Sequence, residues 1–96
     1  MEKRIERVRA MEERLNRLLT WQKELERLLD ALPLIREDEA MLEAYLESPE
    51  WREDLEADEA ERFPADLPRG VLSEDGIWNA LENQRELEDA LRNEWE

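Results

Sequence analysis

Glu56 with Glu59, and Glu86 with Asp89, are the residues of this chain whose types and spacing could do chemistry. Carboxylates three apart share one face of a helix. A Glu-x-x-Glu pair on one helix facing a Glu-x-x-Asp pair on another is an arrangement by which an all-helical nucleotide hydrolase can hold magnesium. Two observations weigh against that chemistry. Glu47, Glu50, Glu53, Glu56 and Glu59 follow one another at intervals of three, so pairs of this kind arise from composition alone. Glu82, Glu86 and Asp89 also fall roughly opposite Ile77, Leu87 and Leu91 on a helix, which aims them at solvent.

Other chemistries are excluded by residue type. The chain has no histidine and no cysteine, so it cannot build a Ser-His-Asp or Cys-His site, the usual zinc sites, or the Glu-x-x-His pairs of a di-iron bundle. Ser48, Ser73, Thr20, Tyr45, Lys3 and Lys23 remain as nucleophiles, and both serines are better explained as helix caps. No catalytic, cofactor-binding or metal residue is assigned, and no cofactor or small-molecule substrate is expected. Four tryptophans are many for this length, and tryptophan is both a core filler and the side chain most enriched at interface hot spots. Trp51 and Trp78 lie beside a Pro/Gly loop and either clamp it down or offer a partner an anchor, with clamping the favoured reading. With Asp66, Arg69, Glu74 and Asp75 they form the candidate interaction surface.

The elements that must position these residues are helices. Charged residues make up 44% of the chain while glycine and proline supply six positions, and β-branched residues are few and scattered, so the fold class is all-α. Val8, Met11, Leu15, Leu18, Leu25, Leu29 and Leu32 recur at alternating steps of three and four, with Gln22 as the one polar position in the series. This is a heptad-like stripe on a helix about 46 Å long at ~1.5 Å per residue. Ile5, Leu19 and Leu28 widen it, and Lys3, Arg7, Arg14, Arg17 and Trp21 line one flank. Pro33 disfavours helical geometry at Leu32 and marks a break. A second helix then runs from 35 to 47. Ser48 and Pro49 read as N-cap and first helical residue of a third, reaching to about 60. Residues 61–73 form the loop. Ser73 reads as N-cap of a last helix over 74–95, with Leu72 and Ile77 as a hydrophobic staple and Ile77, Leu81, Leu87, Leu91 and Trp95 as its buried face. The expected architecture is a single domain over 1–96, a small antiparallel helical bundle in which two short middle helices and the last one cover the long first helix.

Charge is unevenly placed. Residues 1–30 carry eight basic and seven acidic side chains, and residues 31–96 carry six and twenty-one. That field repels nucleic acid phosphates and anionic lipid and suits solubility or a basic partner. No apolar run is long enough for a membrane span or a secretory signal, and a chain without cysteine needs no oxidising compartment. The expected location is the cytoplasm.

The stretch from Tyr45 to Leu81 contains SPEW, DEA and ADLPRGVLSEDGIW. It resembles a family of short bacterial proteins described only as a domain of unknown function. The family's pattern is an aromatic pair before a serine, Glu-Trp, Asp-Glu-Ala, Leu-Pro-x-Asp-Leu, and Arg-Gly-Val-Leu-Ser-Glu-Asp before a helix. Those elements fall on Tyr45, Ser48, Glu50 with Trp51, Asp58 to Ala60, Asp66 with Leu67, and Arg69 to Asp75. This chain departs from the pattern at Leu46 in place of a second aromatic, Glu61 in place of glycine, Phe63 in place of leucine, and Pro68 in place of lysine. The resemblance is close over the second half and covers the first helix only in character. It implies a bacterial, helical, cytoplasmic protein and brings no activity with it.

The function expected is therefore a non-enzymatic protein-interaction module. Its partner is an unknown protein, with a homodimer through the first helix as one form. The alternatives are an acidic mimic of nucleic acid that binds a basic protein and, third, the magnesium-dependent hydrolase.

Overall fold

The computed structural model describes residues 1–73 and 75–95. Its elements are helix α1 (Glu2–Glu47), helix α2 (Pro49–Glu59), a 3-10 turn (Gly70–Leu72) and helix α3 (Gly76–Trp95). No strand occurs among the described residues, and no helix in them is long and apolar enough to cross a membrane. The chain is all-α, with a long N-terminal helix and a C-terminal helix as expected. It divides into two compact units, Met1–Arg36 and Glu37–Glu96, each described by itself.

The first unit is helix throughout after Met1, and it corrects the expected break. Pro33 lies inside α1, so the helix over 2–32 and the one over 35–47 are a single element. Proline has no N–H to give the carbonyl four residues back, and an interior proline costs a helix about 3 kcal/mol. The residues around it, Ala31, Leu32, Leu34, Arg36 and Glu37, carry helical propensity that offsets this cost only in part. The unit has no buried core: every residue from 1 to 30 is exposed. The polar contacts along it are local, Arg27 to Glu24 at 3.1 Å and the Thr20 hydroxyl donating to the Asn16 carbonyl at 3.0 Å.

The second unit is built around the 3-10 turn, which touches both α2 and α3. Ser48 joins α1 to α2. Its hydroxyl donates to the Tyr45 carbonyl at 2.6 Å and accepts from the Trp51 N–H at 3.3 Å, and Pro49 follows at the first helical position. That is the N-cap expected from Ser48-Pro49. At its other end α2 closes in a Schellman arrangement. The Arg62 N–H donates to the Ala57 carbonyl and the Glu61 N–H to the Asp58 carbonyl, each at 3.0 Å. The residue this motif holds in the left-handed region is Glu61, at φ 58°, where a glycine ordinarily stands.

The core of the unit is small: Leu72, Ile77 and Leu81 are its buried apolar residues. Gly76 opens α3 where only a glycine fits. A Cβ there would come to 2.5 Å from the Gly70 carbonyl oxygen and closer still to the Ser73 hydroxyl.

Two further expectations about α3 are corrected. Ser73 is not its N-cap. The Ser73 hydroxyl turns back to donate to the Gly70 carbonyl at 2.9 Å, closing the 3-10 turn, and the helix proper begins three residues later. Glu74 lies outside the described residues. The face read as buried is buried only at its start, since Ile77 and Leu81 are covered whereas Leu87, Leu91 and Trp95 are exposed. Helical periodicity groups residues on one face; it does not supply a neighbour to cover them.

Candidate interaction surface

The six residues singled out from the sequence separate into two groups. Trp51 and Arg69 are engaged within the second unit. The Trp51 indole N–H donates to the Val71 carbonyl at 2.9 Å, which pins the 3-10 turn against α2. The Arg69 guanidinium meets the Asp58 carboxylate at 2.6 Å, both side chains partly buried. These two side chains clamp the loop. Asp66, Asp75 and Trp78 are exposed, Trp78 at 57%, and Glu74 is not described.

Tyr45 and Asp54 were missed as a pair. The Tyr45 hydroxyl donates to the Asp54 carboxylate at 2.6 Å. This hydrogen bond, burial, and the carboxylate's charge together push the phenol up to about 12 from its ordinary value near 10. Asp58 was also missed as the partner of Arg69. The signal available for both lay in the motif, since Tyr45, Ser48, Trp51, Asp58 and Arg69 all belong to the elements on which the resemblance rests, and each has a partner inside the unit.

Arg85 adds a link at the second unit's other edge, with Glu82 at 2.9 Å on its own helix and Glu43 of α1 at 3.8 Å.

An open depression of about 310 Å³ lies in the second unit, lined by Leu42, Pro68, Val71, Ile77 and Ala80 with Gly70 and Gly76. None of these residues carries a polar or titratable side chain. Glu56, Glu59, Glu86 and Asp89 are all exposed. Among the described residues, no three acidic side chains gather closely enough to hold a metal ion.

Most of the exposed large apolar side chains belong to α1. Val8, Met11, Leu15, Leu18, Leu25, Leu29 and Leu32 form the stripe, with exposures from 39% at Leu32 to 67% at Leu29. Ile5, Leu19, Trp21 and Leu28, also exposed, widen it.

No curated protein and no solved structure matches the chain. A family model described as a domain of unknown function matches residues 8–93, from the first residue of the stripe to the last turns of α3. With nearly its whole length matched, the chain belongs to the family of the domain of unknown function DUF4298.

Proposed function

We propose that this protein is a non-enzymatic protein-interaction module whose contact surface is the apolar stripe of α1 from Val8 to Leu32. One observation carries the reading: a stripe with coiled-coil spacing stays exposed along its whole length. Helices draw most of their stability from packing an apolar face, and a helix without such packing is marginal in water. A stripe of this length therefore calls for another chain. Asp66, Asp75 and Trp78, exposed on the second unit, are available to the same partner or to another. The compartment we assign is the bacterial cytoplasm, where a chain without cysteine meets no demand for a disulfide.

The test is affinity capture from the native cell with the tagged chain and with its L18E/L25E variant, which places two charges in the stripe. The reading expects the variant to lose the proteins that the parent retains while the second unit keeps its melting behaviour. Retention of the same proteins by both would overturn it.

The second unit favours one competing reading. Residues 37–96 carry five basic and twenty-one acidic side chains, net −16, a field suited to mimicking nucleic acid on a basic protein. Capture that collapses as salt rises, and that ignores L18E/L25E, would support this reading over the first.

A further inference from the structure

We propose that the partner of the α1 stripe is a second copy of the same chain, packed parallel and in register as a two-stranded coiled coil from Val8 to Leu32. This rests on the reading of the stripe as the contact surface and adds its occupant and direction. In heptad terms Val8, Leu15, Gln22 and Leu29 take position a, and Met11, Leu18, Leu25 and Leu32 take position d. The next a position is Arg36, so the seam ends as the first unit ends.

The flanks decide the direction. Positions g are Arg7, Arg14, Trp21 and Leu28, and positions e are Ile5, Glu12, Leu19 and Glu26. Every flanking base is on g and every flanking acid is on e. A parallel pair sets each g against the e five residues on in the other helix. Arg7 then meets Glu12 of the second copy, twice by symmetry, while Arg14 lies along Leu19 and Trp21 along Glu26. An antiparallel pair sets g against g and e against e. In the antiparallel register that keeps the whole stripe overlapped, Glu12 faces Glu26 of the second copy.

Gln22 makes the same choice. Parallel and in register, it faces Gln22 of the second copy, and each side-chain amide brings both a donor and an acceptor. In the antiparallel register it faces Leu18 and is buried without a partner. One polar residue at a single a position is also the usual device for fixing register. The unit that would make this contact carries nine basic and seven acidic side chains over residues 1–36, net +2, so it approaches its own copy without the repulsion that net −16 imposes on residues 37–96.

The chain has no cysteine, so single thiols report the geometry directly. In the parallel dimer, V8C and L29C each place two thiols in one a layer, and each variant alone oxidises to a covalent dimer at low micromolar concentration. In the antiparallel pair the two position-8 thiols are separated by 24 residues of helix, about 36 Å, and V8C cross-links with L32C instead. The proposal expects self-linking of both single variants, no V8C–L32C preference, and a dimer mass by sedimentation for the unmodified chain. A V8C–L32C preference, a trimer or tetramer mass, or a monomer at high micromolar concentration would overturn it. If the monomer nonetheless captures a different protein, and L18E/L25E abolishes that capture, the interaction reading survives and only the second copy is wrong.

Discussion

Arg69, the residue just before the 3-10 turn, reaches back eleven positions to meet Asp58 in the last turn of α2 at 2.6 Å. The contact ties the loop's far end to its near end, and it places Arg69 in the fold and not free on the surface. Both side chains are partly exposed, so solvent screens the pair and its net worth is about 1 kcal/mol. Arg69→Ala and Asp58→Ala should each lower stability by about that much, which in a chain of this size moves the melting temperature by roughly 4–8 °C. The double variant should cost little more than either single one. Fully additive losses in a melting-based double-mutant cycle would show that the pair contributes nothing.

Glu61 bears a backbone conformation that its side chain disfavours. At φ 58° it closes α2, and left-handed geometry costs a residue with a Cβ about 1 kcal/mol relative to glycine. Glu61→Gly should therefore raise the melting temperature, whereas Glu61→Ala, which removes the charge and keeps the Cβ, should gain less. Equal gains from both would assign the effect to charge.

Tyr45 is the only tyrosine, so its titration can be followed by phenolate absorbance alone. Its folded-state value, raised to about 12, lies above the unfolded value of 10. The neutral phenol is thus the form the fold prefers. The stability it contributes is complete below pH 10 and is lost as pH rises through 12. The absorbance midpoint should lie near 12, and Tyr45→Phe should remove this part of the alkaline loss of stability. A midpoint at the ordinary value near 10 would show that the bond to Asp54 does not persist in solution.

The turn chemistry of the second unit was legible where one residue decides one local geometry. Ser48-Pro49 gave its cap, the Pro/Gly-rich stretch after residue 60 gave its loop, and Trp51 beside that loop gave its clamp. Ser73 misled because a serine three residues after a glycine and shortly before a helix can bond forward or back. Gly70-Val71-Leu72 forms its own turn and takes the hydroxyl. The clustering of Leu87, Leu91 and Trp95 on one face was also legible, but their exposure was not, because spacing within a helix carries no information about what lies across from it. The same holds for the α1 stripe, whose apolar side chains from Val8 to Leu32 are exposed.

Pro33 supplies a sharp test of the long helix. If α1 runs through it, Pro33→Ala restores a backbone hydrogen bond and removes a cost of about 3 kcal/mol. The melting temperature should rise while helix content by circular dichroism stays the same, because the residues on both sides of position 33 are already helical. A rise in helix content on substitution would mean that the helix is broken at Pro33 in the native chain, as the proline alone implied.

Amide hydrogen exchange along α1 tests most directly the central claim that the stripe is covered by another chain and not by its own. In the dilute chain, the amides from Val8 to Leu32 should exchange with little protection, since an unpacked helix opens readily. Their protection should grow as the partner is added, a second copy first, and should not grow for L18E/L25E. Strong protection of these amides in the dilute monomer, unchanged by concentration, would contradict the account by showing that the helix is held within its own chain.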